Sequence, residues 1–338
     1  MNILLLQLKR IGDLILTTPA IAAVREKFPH ANISLVVSGN ARELLPAIPG
    51  VDRTFVARGK ISDAAGWFTV ARRKYDYCLD FTRTDRSAFL TMLSGARRRV
   101  TADHPKQRAK IRSLSYNTLV DLPIGQMHTV DYHLGLLEPM GIRDASRQVR
   151  LDLPASALLQ AERALTEAGV RGEFLLLHPG SARAEKFWEA GRWAALITFA
   201  AEHELACVIT GGSSVLEQTH LCEIKKRARD PFLDLTGKVD LLTLAAVIRR
   251  ARLLTTVDSA PLHLAVATQT PQVVLFGPTN PMHWHPRFAP ALILQAGQAA
   301  PVTEFSPRQQ PVAMKQISTA QVIDAMEALL ATPRGAIV

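Results

Sequence analysis

One repeated alternation constrains the fold more than anything else in the chain. Short unbroken apolar runs recur, each followed by a polar turn and then by a segment with helical spacing. Asn2 to Leu8 is such a run, followed by the turn Lys9-Arg10-Ile11-Gly12-Asp13 and a helical pattern over Leu14 to Lys27, with Pro19 an awkward guest inside it. Strand-like runs return at 32–37, 53–57 and 77–80, with a helical pattern over 61–73 between the last two. Runs that do not alternate apolar with polar residues belong to strands covered on both faces, as in a parallel sheet with helices packed on each side. The basic stretch from Arg97-Arg98-Arg99 through Lys106, Arg108, Lys110 and Arg112 has few apolar positions and is expected to be exposed loop. Asp131 to Met140 reads as a helix, and 151–154 as a short extended link.

A second series follows. Helix 155–168 ends at Gly169, then come strand 174–177, helix 192–203, strand 206–210 and helices 215–228 and 241–250. Strands 253–257 and 272–276 flank another helix. Residues 296–318, rich in Ala, Pro and Gln, read as loop before a closing helix at 319–331. The expected class is therefore α/β, with two doubly wound domains facing across a cleft: residues 1–150, residues 151–318, and a C-terminal helix and tail at 319–338.

The chain has 338 residues, room for two cores. No apolar run reaches the length of about 18 residues that crosses a membrane, and the start of the chain lacks a signal-peptide layout. Cys78, Cys207 and Cys222 are too few and too scattered for a disulfide framework or a metal site, and are expected to be buried thiols in a reducing cytoplasm. The charge is lopsided. Residues 1–150 hold 23 Lys and Arg against 13 Asp and Glu, whereas 151–338 hold 17 of each. The excess in the first half calls for an anionic partner: nucleic acid, an acidic membrane surface or a phosphorylated substrate.

Ligands of open parallel sheets bind beyond the carboxyl ends of the strands, so the strand-to-helix loops carry the functional argument. In Val257-Asp258-Ser259-Ala260-Pro261-Leu262-His263-Leu264-Ala265, a buried strand ends on an acid. Ser259 offers an N-cap hydroxyl and Pro261 suits a first helical turn. Free N–H groups at such a helix start favour phosphate. The loop His178-Pro179-Gly180-Ser181, with Arg183 and Lys186, suits a diphosphate. Gly211-Gly212-Ser213-Ser214 leads to Glu217, a carboxylate suited to ribose hydroxyls. Together these three loops read as a nucleotide or nucleotide-sugar site. The dinucleotide pattern G-x-G-x-x-G and the P-loop are missing, which weakens NAD-dehydrogenase and NTPase readings. No D-x-D triplet is present to hold a metal on a diphosphate, and His104, His128 and His133 lack metal-ligand spacing. Asp13, on the first strand's exit loop, is placed to take a proton from an attacking hydroxyl, or simply to cap the following helix.

Several motifs together resemble the family-nine glycosyltransferases, the ADP-heptose:lipopolysaccharide heptosyltransferases of Gram-negative bacteria. They are Gly12-Asp13 with Thr18-Pro19-Ala20, His128-x-x-Asp131, His178-Pro179-Gly180, Lys186-x-Trp188, Gly211-Gly212, Asp258-Ser259-x-Pro261-x-His263-Leu264-Ala265 and Phe276-Gly277-Pro278-Thr279. Their order and spacing match over roughly residues 1–330. The resemblance implies a GT-B fold of two Rossmann-like domains, the first for the acceptor and the second for the nucleotide sugar. It implies ADP-heptose as donor, no cofactor or metal, and inversion at the anomeric carbon. By matching position, Asp13 would be the general base, Lys186 a diphosphate contact, Glu217 a ribose contact and Asp258 a heptose contact. Ser181, Arg183, Gly212, Ser259, Ala260, Leu262 and His263 complete the expected donor site.

On the acceptor side stand Gly12 and, by charge and location, Lys9, Arg10, Arg97, Arg98 and Arg99. The implied acceptor is the lipopolysaccharide inner core, Kdo and heptose on lipid A, reached at the anionic inner membrane surface by a cytoplasmic, peripheral enzyme. Relatives often carry several cysteines after the Phe-Gly-Pro-Thr motif, and residues 280–318 have none. Two rival readings are a GT-B epimerase or hydrolase of another nucleotide sugar, and a nucleic-acid binder using the basic half. Aromatic residues at 6% are sparse for the latter, so no nucleic-acid partner is expected.

Overall fold

The unbroken apolar runs become the central strands of two parallel sheets in the computed structural model, which describes residues 1–58, 69–104 and 112–332. The chain divides into two units, Met1–Asp152 and Leu153–Val338.

In the first unit the strands are β1 (Asn2–Gln7), β2 (Asn32–Ser38), β3 (Arg53–Ala57), β4 (Tyr77–Asp80), β5 (Arg98–Ala102) and β6 (Thr118–Val120). They pair in the order β3-β2-β1-β4-β5-β6, every pair parallel. Between and after them run α1 (Ile11–Ile15), α2 (Thr18–Lys27), α3 (Asp85–Leu93), α4 (Arg112–Ser115) and α5 (Thr129–Gly135). Ile3 to Leu6 are fully buried, as a strand covered on both faces requires.

The second unit repeats the plan. Its strands are β7 (Phe174–His178), β8 (Ala206–Ile209), β9 (Leu233–Asp234), β10 (Leu253–Val257), β11 (Gln272–Phe276) and β12 (Ala291–Gln295). The order is β12-β11-β10-β7-β8-β9, again all parallel. Its helices are α6 (Ala155–Glu167), α7 (Ala190–Glu202), α8 (Val215–Lys225), α9 (Leu241–Arg250), α10 (Ala260–Thr268) and α11 (Thr319–Leu330). Counted from its own first strand, each unit reads 3-2-1-4-5-6, a doubly wound order. The winding reverses between β1 and β4 in the first unit and between β7 and β10 in the second. Beyond the strand ends at such points is where doubly wound sheets bind their ligands.

The second core packs Trp188 edge-on against Trp193, centroids 5.3 Å apart, with the Trp188 indole N–H donating to Ile317 O at 2.9 Å. Val322, Ala325, Met326 and Leu329 of α11 lie in the same cluster, so the closing helix is part of the second unit's core and not an appendage.

Several expectations are corrected. The helix expected over Leu14 to Lys27 is two helices, broken at Leu16 and Thr17. Pro19 has no N–H and its ring would meet the carbonyl of Ile15, so it cannot continue α1. It sits instead in the first turn of α2, where that N–H is not needed. The basic stretch is not all loop: Arg98 and Arg99 begin β5, whose later residues Val100 to Ala102 are buried. Lys106, Arg108 and Lys110, and most of the helix expected at 61–73, lie outside the described residues. The helix expected over Asp131 to Met140 ends at Gly135. A tight turn follows and closes on Gly141, whose φ of 73° favours glycine. Cys78 and Cys207 are buried, but Cys222 is exposed on α8, because it lies off that helix's buried face of Leu221 and Ile224. No helix among the described residues is long and apolar enough to cross a membrane.

Candidate active site

In the first unit, β1 delivers the chain to Lys9 and Arg10, and α1 begins at once. Arg10 is the N-cap residue of α1, and Gly12 and Asp13 lie in its first turn. Asp13 accepts the Arg10 backbone N–H at 3.3 Å, and its carboxylate lies 4.0 Å from the Lys9 ammonium. Its side chain keeps only 15% of its exposure. Burial pushes the Asp13 carboxyl above its ordinary range, against the pull of Lys9 and of the Arg10 N–H. Burial also lowers Lys9, with Asp13 opposing it. The result is an ionisable acid with a raised proton affinity and one cation in reach, at the switch point of the sheet.

Asp80 ends the neighbouring strand β4 and is fully buried. It accepts the Tyr116 hydroxyl at 2.5 Å, the Thr82 N–H at 2.8 Å and the Arg83 N–H at 3.1 Å. Those donors hold the 80–84 loop in shape, which is a structural duty.

Arg97, Arg98 and Arg99 are elsewhere. Arg98 stands level with Tyr77 and Ile3 in the sheet register, at the amino end of the strands, whereas Asp13 follows the carboxyl end of β1. The four residue steps from Ile3 to Gln7 alone span about 13 Å. Arg98 donates to Pro139 O at 3.3 Å, and Arg99 donates to Ser115 O and Ala96 O at 2.8 and 3.1 Å. The structure therefore does not bring these three arginines to Asp13. Charge patterning groups residues by sequence, and a parallel sheet sends the two ends of each strand to opposite edges.

In the second unit, three exit loops converge. Lys186, in a single turn after β7, is buried at 6% exposure and is not a surface lysine. Its ammonium donates to Asp258 Oδ2 at 2.5 Å and to Asp258 O at 3.0 Å. The Thr279 hydroxyl, from the loop after β11, donates to the same Oδ2 at 2.7 Å. The Lys186–Asp258 pair thus straddles the β7/β10 switch point.

Ser259 is the N-cap residue of α10, but its hydroxyl donates to Val257 O at 3.3 Å and does not cap the helix. That corrects the expected cap: at φ −152° and ψ 179° the residue is fully extended, and its side chain turns back to the strand. Ala260 opens the helix. Leu262 faces the core with Val274, Phe276 and Ile293, so only its backbone is placed to meet a ligand. His263 is buried, its Nδ1 has no partner, and burial pulls its pKa down to about 4, so it is neutral.

Glu217 links the other two loops. Its carboxylate accepts the Gly212 N–H at 3.2 Å and the Ser214 hydroxyl at 2.9 Å. A Cβ built on Gly180 or on Gly212 would lie 2.3 Å from one or other of its oxygens. Both glycines therefore leave the space that this carboxylate fills. His178, neutral with a pKa lowered to about 4 by burial, meets the Thr210 hydroxyl at 3.0 Å. Ser181 is buried and accepts the Arg183 N–H at 3.3 Å, while the Arg183 side chain is out in solvent, paired with Glu185. Among the described residues no group of three or more His, Cys, Asp or Glu is placed to hold a metal ion.

Three exit loops of this composition at one edge of a doubly wound sheet make a candidate ligand site. The family model of glycosyltransferase family 9 (heptosyltransferase) matches residues 67–309. The chain belongs to that family. The enzyme is 27% identical over 330 residues to lipopolysaccharide heptosyltransferase 3 of Escherichia coli, covering 94% of this chain and 96% of that one. A family-nine glycosyltransferase from Veillonella parvula DSM 2008 superposes with a TM-score of 0.83 at 25% identity, covering 98% and 97% of the two chains. The E. coli ADP-heptose heptosyltransferase II gives 0.77 at 19% identity, covering 98% and 99%, a likeness of fold.

Reading the glycosyltransferase residue by residue passes over contacts that only the fold makes. Thr279 stood in a recognised motif but was given no role, and it holds Asp258. Gln7, Thr17 and His133 had no signal beyond a Thr-Thr-Pro run and a lone histidine, because their meeting depends on the fold.

Proposed function

We propose that the enzyme transfers heptose from ADP-heptose to the inner core of lipopolysaccharide, with inversion and without a metal. The reading rests above all on the buried Lys186 ammonium, held against Asp258 beside the amino end of α10. The lipopolysaccharide heptosyltransferase relative supports heptose as the sugar. In the second unit Lys186 and the free N–H groups of α10 meet the donor diphosphate, Asp258 a heptose hydroxyl and Glu217 the ribose. Ser181, Gly212, Ser259, Ala260, His263 and the backbone of Leu262 line the same crevice, and Arg183 lies at its solvent side.

In the first unit Asp13 is the general base, with Lys9, Arg10 and Gly12 beside the acceptor. As the acceptor oxygen bonds to the anomeric carbon, the bond from that carbon to the diphosphate breaks. The hydroxyl proton goes to Asp13 and the electron pair leaves with ADP. An approach opposite the leaving group inverts the carbon. Negative charge grows on the departing phosphate, where Lys186 and the positive end of α10 oppose it. Working on a lipid-linked acceptor, the enzyme acts in the cytoplasm at the anionic inner membrane surface, and its basic first unit suits that neighbourhood.

Calorimetric titration with ADP and ADP-heptose, against UDP- and GDP-sugars and NAD, with and without EDTA, tests the donor. Selective adenine-nucleotide binding that survives EDTA is expected. Preference for a uridine or guanosine nucleotide would discard heptose and retain the architecture. Asp13→Asn should keep donor affinity and lower turnover by about a hundredfold or more.

A further inference from the structure

We propose that Thr17, held by Gln7 and His133, is a positioning residue for Asp13. The inference rests on the reading of Asp13 as general base. Asp13 rides on α1, a helix of five residues, far too short to hold its own shape in water. The break before Pro19 also frees carbonyls at its end. The Thr17 N–H tightens onto Leu14 O at 3.0 Å, and the Thr17 hydroxyl takes Asp13 O at 2.7 Å. Thr17 Oγ1 in turn accepts from the Gln7 amide at 2.9 Å and lies 3.2 Å from His133 Nδ1. His133 Nδ1 also faces Leu16 O at 3.1 Å, and its Nε2 lies 3.4 Å from the Gln7 amide. With the proton on Nδ1 shared between Leu16 O and Thr17 Oγ1, Nε2 is free to accept from Gln7, and every contact has its donor.

Three features set this cluster apart from an ordinary threonine bonding back along its helix. Gln7, Thr17 and His133 are all fully buried, and they come from β1, the break between α1 and α2, and α5. His133 is itself fixed, edge-on to Phe81 with centroids 5.1 Å apart. Finally, Gln7 Oε1 accepts the Lys9 N–H at 3.3 Å, so the cluster grips the chain on both sides of Asp13, at Lys9 and at Thr17. A base must meet its proton within hydrogen-bond reach, and small displacements are costly. The cluster clamps the backbone that carries the carboxylate.

Thr17→Val replaces the hydroxyl by a methyl of similar size, and Thr17→Ser keeps the hydroxyl and loses the methyl. Turnover at saturating donor should fall about ten- to a hundredfold in Thr17→Val, with donor KM and ADP affinity within about twofold of the parent. Thr17→Ser should recover turnover to within about threefold of the parent. Gln7→Leu, which removes the clamp and leaves the hydroxyl, should repeat the turnover-only loss, and it serves if Thr17→Val does not fold. Parental turnover in a folded Thr17→Val or Gln7→Leu would overturn the proposal, as would a Thr17→Ser as impaired as Thr17→Val, which is the mark of packing alone. Asp13→Asn is measured alongside. An inactive Asp13→Asn with a normal Thr17→Val would sink the clamp and spare the base, whereas an active Asp13→Asn would sink both.

Discussion

Burial holds Asp13 towards its protonated form, and with the general-base role proposed for it the consequences for turnover and for stability have opposite signs in pH. Its folded pKa is raised, so the base form is lost as pH falls through a value above the ordinary carboxylate range near 4. The acid limb of the turnover profile should therefore lie above that range. Stability runs the other way: the contribution is full below the unfolded value and is lost as pH rises through the folded one. Asp13→Asn should consequently melt higher than the parent at neutral pH, by on the order of 1–3 °C, with the gain vanishing in acid. A parent that is the more stable of the two at pH 7 would contradict the direction of this shift.

Lys186 poses the opposite problem. Removing one member of a buried pair leaves the other charged and unpaired, at a cost of about 3–5 kcal/mol. Lys186→Ala should thus lose both donor affinity and stability. Adding Asp258→Asn should recover much of the melting temperature but not the affinity, and a double variant no more stable than the single one would show that the pair is not coupled.

At the scale of elements, two short glycine turns and one helix start share a single carboxylate. Gly212→Ala and Gly180→Ala each drive a methyl against Glu217, a flexible side chain that moves aside, so the fold should survive while ADP affinity drops about tenfold. In a Glu217→Ala background neither glycine change should matter further, and a double-mutant cycle reads that coupling directly.

What could be read from the sequence follows the same division. β1, β7 and β11 were legible because burial on both faces leaves an apolar run, and β10 because its two buried threonines are β-branched. β6 and β9, with three and two residues, carry no period at all, and β12 is only partly covered. The break between α1 and α2 was visible as Pro19 but not as a consequence, since the local spacing of apolar residues runs straight through it. Lys186 and Asp258 were each singled out by motif, but not as partners. Asp258 lies 72 residues away, and only the pairing of Thr256 with His178 across β10 and β7 brings the two together.

For the molecule as a whole, two six-stranded units of the same winding explain why the site residues cluster after β1, β7, β8 and β10. The charge excess of the first half is distributed differently. Lys9 and Arg10 stand at the carboxyl edge of the first sheet and Arg97 and Arg98 at the amino edge. Dissolved ions erase the field of an exposed charge within about 8 Å at physiological salt, less than the length of the strands between the two edges. These four cations therefore act as two largely separate pairs. Charges beside Asp13 tune a proton, and those at the far edge are felt only by whatever large surface comes up to that side. Reversing Arg97 and Arg98 to Glu should leave the turnover profile in pH where it was and weaken retention on anionic vesicles. The same enzyme would keep its chemistry and lose its address.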